Sequence, residues 1–228
     1  MLMSILSPAA WKRRALERRR REYPALAPEL FNAKYVADGV ISQFDMSVLP
    51  ATDKLGFRQY VCTTLARKCQ RLDGMFVCIG VSWGDDAVRI LSEVGPGNDY
   101  YLIDSWDGRR TAANATVKAG YATEIEEVRA RFTDYPNVRL IQGIAPAILS
   151  ELPDGPIAWL HLDVGDSKTD IASLELLGSR IMPGGMVSTA AFGREHYDDA
   201  DRAAFLAAAE NAGLVPFGLP TGHMILMA

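Results

Sequence analysis

Cysteine is scarce in this chain. Three stand in 228 residues, Cys62, Cys69 and Cys78, with no C-x-x-C among them. Cys62 and Cys69 would lie about 10 Å apart along a helix, too far for a disulfide. An odd, unclustered set signals neither a disulfide framework nor a zinc cluster. Positive charge is also short, because 24 Lys and Arg face 28 Asp and Glu for a net charge of -4. No cationic surplus is available to neutralise phosphates, which argues against a general nucleic-acid binder. Long apolar runs are missing as well. The opening "MLMSILSPAAW" is too short to span a bilayer, and it precedes the positive charges, the reverse of a secretory signal. The expectation is a cytoplasmic chain without a membrane span.

What charge there is lies unevenly. Residues 1 to 22 hold Lys12, Arg13, Arg14, Arg18, Arg19, Arg20 and Arg21 against Glu17 and Glu22, so the rest of the chain carries the acidic excess. "KRRALERRRREY" is built of helix formers and is followed by the prolines of "PALAP", which predicts a basic helix. It is either a solvated face or a surface that meets the acidic body of a second copy, giving a homo-oligomer; an anionic membrane surface fits its short apolar face less well. The length and the 49 % apolar content suit one large domain with an extension. The division expected is 1–52 for the basic helix and an irregular cap, and 53–228 for the main domain.

Within 53–71, Asp53 can cap a helix that puts Phe57, Val61, Leu65 and Cys69 on one face. Short apolar runs then alternate with helical segments. The runs are "MFVCIG" (75–80), "YYLID" (100–104), "VRLIQG" (138–143), "IAWLHLD" (157–163) and "GMVSTAA" (185–191). Helices are expected near 85–94, 113–133, 145–152 and 168–180. This alternation marks a mostly parallel α/β sheet with helices on both faces. "DDADRAAFLAAAENAG" reads as a helix capped by Asp198 or Asp199 and stopped by Gly213. "LVPFGL" and "HMILM" flank a "PTG" turn and are expected to pair antiparallel.

The chemistry concentrates at strand ends. In "GMFVCIGVSWGDDAVRIL", Gly80 and Gly84 lie between a strand and a helix, where backbone can approach a ligand closely. The third glycine of a dinucleotide turn is absent, and Asp85 and Asp86 at the helix start would repel a pyrophosphate. They would tolerate a cationic ligand, such as a sulfonium with an amino group; a purely structural turn is the other reading. Asp104 ends the next strand about 20 residues on, placed to accept hydrogen bonds from both hydroxyls of a ribose. Taken alone it is equally a turn or cap aspartate, but its pairing with the glycine turn favours a nucleoside.

"GMFVCIGVSWGDDA", "YYLIDSWDG", "VRLIQGIAPAILSELPDGPIAWLHLD", "LELLGSRIMPGGMV" and "PTGHMILM" follow one another in order over about 55–228. In this the chain resembles the macrocin O-methyltransferase-like family of class I S-adenosylmethionine (SAM) methyltransferases. The resemblance implies a Rossmann-like, seven-stranded, mostly parallel sheet with an antiparallel C-terminal strand and SAM across the first strand ends. It places Gly80, Val81, Ser82, Trp83 and Gly84 near the methionine part and Asp104, with Ser105 and Trp106, at the ribose. Gln142, Gly143 and Ile144 would border the adenine, and Asp163 would close the site.

The chain departs from that family at three places. Cys78 and Gly165 stand where relatives carry acids, and Ala190-Ala191 stand where relatives carry an Asp-Asp pair. The resemblance implies that Asp163 is the survivor of a magnesium site, and one carboxylate supplies too few oxygens for that ion. No firmly bound metal is expected. Asp163, Asp166 and His196 are then the candidates to hold the acceptor or take its proton. Asp166 is also readable as a helix cap and His196 as a loop residue, while His161, on the same strand face as Asp163, is readable as a core hydrogen-bonding group. The expected activity is SAM-dependent O-methylation of a small polyhydroxylated substrate, a sugar or natural-product glycoside. The alternative is a protein of the same fold that no longer methylates and binds a ligand or partner, or catalyses another reaction.

Overall fold

The computed structural model describes residues 61–107, 125–189, 192, 197–219 and 222–228. The basic N-terminal segment and the Asp53 cap lie outside them. Seven strands form one sheet: β1 (Met75–Ile79), β2 (Tyr100–Asp104), β3 (Val138–Gln142), β4 (Ile157–Leu162), β5 (Ile181–Thr189), β6 (Val215–Gly218) and β7 (Met224–Met227). Their spatial order is β3-β2-β1-β4-β5-β7-β6. Pairs from β3 through β5 are parallel, and β7 runs antiparallel between β5 and β6.

Every residue of the central strands β1 and β4 is buried, as continuous apolar runs require when both sheet faces are covered. On one face lie Phe76, Cys78, Tyr100, Leu102 and Trp159, packed with the 61–69 helix (α1), α2 (Asp85–Val94) and α3 (Ile125–Arg131). The other face carries Val77, Ile79, Ile103, Leu160 and Leu162, packed with the 3-10 turn Ala147–Glu151, α4 (Ser167–Leu177) and α5 (Asp199–Asn211). β6 is the exposed edge, and its Pro216 has no N–H to offer there.

Two elements differ from expectation. β5 begins at Ile181, ahead of the expected 185. Ile157 pairs with Ile181 but Trp159 pairs with Met186, so the Pro183-Gly184-Gly185 segment bulges out of register within the strand. Gly184 takes φ 79°, and its amide bonds the Ala228 carbonyl at 3.1 Å. The segment expected as a helix over 145–152 is a 3-10 turn following Pro146. Of the helix expected over 113–133, the described part is Ile125–Arg131.

The chain runs outward from β1 to β3, then returns to place β4 on the other side of β1. At that reversal the helix after β1 packs on one face of the sheet and the helix after β4 on the other, the arrangement at whose carboxyl ends ligands settle in open α/β sheets.

Candidate active site

The β1 end supplies the first wall. Gly80 takes φ +86°, and a Cβ there would meet the Asp163 carbonyl carbon at 2.5 Å and the Val164 nitrogen at 2.6 Å. Only glycine lets β1 and β4 run this close. Gly84 takes φ +81° as the cap of α2, and a Cβ would strike the Phe132 ring at 2.8 Å. Between the glycines, Ser82 has φ 52°, an unfavourable value for a side-chain-bearing residue. Its neighbours hold it there.

Asp104, at the end of β2, is the centre of that support. Its Oδ2 accepts the Ser82 N–H at 2.7 Å and its Oδ1 accepts the Ser105 N–H at 2.6 Å. Trp106, itself at φ 36°, donates its indole N–H to the Ser82 carbonyl at 2.8 Å. The Gln142 side-chain amide, at the end of β3, donates to the Ser105 and Trp106 carbonyls at 3.2 and 3.0 Å. The Gly143 amide bonds the Asp104 carbonyl at 2.9 Å, and a Cβ on Gly143 would overlap Ile148. Three strand ends are thus wired together around one carboxylate. Val81 and Trp106 are buried and support the loop from beneath, whereas Ile144 is 65 % exposed beside it.

An ionised carboxylate offers about four lone-pair sites, and here each oxygen spends one on a short backbone bond. The remaining capacity suits two neighbouring hydroxyls, as on a ribose. Arg131 of α3 completes the loop by donating to the Trp83 carbonyl at 2.7 Å and pairing with Asp85 at 2.6 Å. No local motif pointed to Arg131, which lies 48 residues from Trp83 in sequence.

The β4 end is built differently. The Asp163 amide bonds the Ile79 carbonyl at 2.9 Å, which sets this half-buried residue beside the glycine turn. Two residues earlier on the same face, His161 is buried; its Nδ1 lies 2.8 Å from the Ser188 hydroxyl and its ring stacks on Trp159 at 5.5 Å. It is a core hydrogen-bonding group in this arrangement. Gly165 takes φ 80°, a backbone shape that disfavours any side chain. Asp166 caps α4, its Oδ2 accepting the Thr169 N–H at 2.9 Å and the Thr169 hydroxyl at 2.5 Å. One oxygen of its carboxylate is thus spent on the cap. His196, Ala190 and Ala191 lie outside the described residues.

Beneath this loop, the Tyr197 hydroxyl donates to Asp170 Oδ2 at 2.9 Å, with both groups fully buried. Burial first, and the Asp170 charge second, push the phenol well above its ordinary range. Nothing in their spacing of 27 marked them as partners in the sequence.

A family model described as a methyltransferase domain matches residues 77–189. No curated protein matches the chain. Among solved structures, the O-methyltransferase NovP is similar at 17 % identity over 75 % of this chain and 78 % of its own, with a TM-score of 0.58. CalS11, a TDP-rhamnose 3′-O-methyltransferase of calicheamicin biosynthesis, is 18 % identical over 97 % and 95 %, with a TM-score of 0.55. A proposed rRNA methylase from Clostridium thermocellum is 14 % identical over 76 % and 93 %, with a TM-score of 0.52. At such identities the likeness to solved structures is one of fold. Together with the family match, it defines the class as a SAM-dependent methyltransferase domain. Among the described residues, no helix is long and apolar enough to cross a membrane.

Proposed function

We propose that the protein methylates a hydroxyl oxygen of a small polyhydroxylated acceptor, a sugar or a natural-product glycoside, and does so without a firmly bound metal. The observation that carries the cofactor half of this reading is the Asp104 network, a carboxylate with spare acceptor capacity held at the strand-order reversal. SAM, when bound, supplies an electrophilic methyl on a sulfonium sulfur.

The residues of this chain bind and orient. Asp104 holds the ribose hydroxyls, the Gly80–Gly84 turn borders the methionine part, and the exposed Ile144 with Gln142 and Gly143 covers the adenine. Asp163, facing the turn from β4, holds the acceptor hydroxyl and takes its proton; His196 is the second candidate. Alignment supplies most of the acceleration in such a displacement. The acidic balance of the chain favours a small acceptor over RNA, and NovP and CalS11, as similar folds, support an oxygen of a sugar or natural product. Metal independence rests on the donor set, because Asp163 is left without the acids of its relatives and a hard cation needs several oxygens. The basic N-terminal helix is proposed to join copies into a homo-oligomer in the cytoplasm.

The second reading, a methyltransferase fold that no longer methylates, is supported by Gly165, whose positive φ favours glycine at the position where the family it resembles carries an acid. The two separate when the protein is incubated with methyl-labelled SAM and a panel of nucleotide sugars and glycosides, with EDTA or with magnesium. Labelled product in EDTA is the expected result. Product only with magnesium would overturn metal independence, and no product under any condition would select the second reading.

A further inference from the structure

Among the described residues, a side-chain bond from Tyr197, after β5, to Asp170, after β4, joins the two segments at this edge of the sheet. Asp170 stands in the first turn of α4, four residues after the Asp166 cap, with its amide on the Asp166 carbonyl at 3.1 Å. Thr169, its neighbour, is held by the Asp166 carboxylate and accepts the Ser173 hydroxyl at 2.7 Å. That turn is bonded through from Asp166 onward, and Asp163 is its lead-in. On the other side, Tyr197 packs its ring 6.1 Å from Phe192 and 6.3 Å from Phe205, and Asp198 next to it caps α5. Arg202 of α5 holds the Phe192 carbonyl at 3.2 Å. The described residues after β5 are therefore fastened to α5 by rings and backbone, and to α4 by the phenol.

A phenylalanine at 197 would fill the same space. Burying a hydroxyl and a carboxylate costs free energy unless they bond each other, and the bonded pair is seldom more stable than an apolar substitute. What the pair adds is a fixed distance and direction. We infer that Tyr197 and Asp170 are positioning residues, a strut that sets the spacing between the segments that follow β4 and β5 and with it the acceptor side of the site. The link to acceptor geometry rests on the methyl-transfer reading; the strut itself does not.

The test uses the full chain and hydrogen exchange of backbone amides. Tyr197→Phe removes only the hydroxyl and should speed exchange at least fivefold in both 163–170 and 197–202. Asp170→Asn keeps an acceptor for the phenol and should stay within twofold of the parent. S-adenosylhomocysteine affinity, measured by calorimetry, should stay within twofold in both. On any acceptor that the parent protein methylates, Tyr197→Phe should raise the acceptor KM at least fivefold with kcat and the SAM KM within twofold. Should Tyr197→Phe fail to fold, Asp170→Leu, which removes the acceptor oxygens and fills their space, should give the same paired exchange. Exchange in 163–170 at the parent rate while 197–202 quickens would overturn the strut, as would equal acceleration across β1 to β3. Absence of product from the parent protein is the separate failure of the methyl-transfer reading.

Discussion

The two halves of the sheet's carboxyl edge are stabilised by different means. At the ends of β1, β2 and β3, side chains bond to the backbone of neighbouring loops: Asp104 to Ser82 and Ser105, Trp106 to Ser82, Gln142 to Ser105 and Trp106, and Arg131 to Trp83. At the ends of β4 and β5 the loops are anchored from below, by the Asp166 cap, the Asp170–Tyr197 bond and the Phe192–Tyr197–Phe205 rings. The difference fits the proposed division of this edge between cofactor and acceptor. Backbone-directed bonds fix a loop's own path, which suits a ligand that never changes. Anchoring from below holds a loop's feet and leaves its upper residues open to change, which suits an acceptor that differs among proteins of one fold.

The halves touch at Gly80, so the largest effect is expected there. Gly80→Ala would force a Cβ against the Asp163 backbone at an unfavourable φ, and denaturant titration should show a loss of about 2 kcal/mol or more. A loss under about 0.5 kcal/mol would mean that the two strand ends are free to part. Asp166→Ala should cost about 1 kcal/mol, the usual value of an N-cap, with S-adenosylhomocysteine affinity unchanged. A drop in that affinity would erase the division between halves. Arg131→Met should do the converse, weakening the cofactor by about 0.5 to 1 kcal/mol, the scale of one exposed hydrogen bond, with thermal stability nearly constant.

An alkaline effect should appear last and belongs to the shared core. Burial raises the Cys69 thiol from its ordinary 9.0 to about 11. A group whose pKa is raised on folding contributes stability that is complete below its unfolded value and lost as pH climbs through the folded one. Stability should therefore begin to fall above pH 9. Cys69→Ala should flatten the slope between about pH 9 and 10, before the buried phenols Tyr100 and Tyr197, also raised by burial, add their own loss. An unchanged slope would mean that Cys69 ionises as readily folded as unfolded.

Most of the fold was legible because its signals are local. The buried runs at Met75–Ile79 and Ile157–Leu162, and the caps at Asp166 and Asp198, need only neighbouring residues to declare themselves. The β5 start was misread because Pro183-Gly184-Gly185 looks like a break, whereas register with β4 absorbs it as a bulge. In the site, Gly80, Gly84 and Asp104 were readable from spacing. Trp106 as a prop for Ser82, Arg131 as a clamp and Asp170–Tyr197 as a pair were not, since each joins residues 24 to 48 positions apart that only the folded sheet brings together.

The most direct test of the cofactor reading is a calorimetric titration of S-adenosylhomocysteine into the full-length protein and into Asp104→Ala. The parent should bind one equivalent, and the variant should bind about tenfold to a hundredfold more weakly, the loss of roughly 1.5 to 3 kcal/mol that accompanies removal of a charged hydrogen-bond partner. No heat from the parent at millimolar ligand, or equal affinity in both proteins, would contradict the assignment of this edge as the cofactor site.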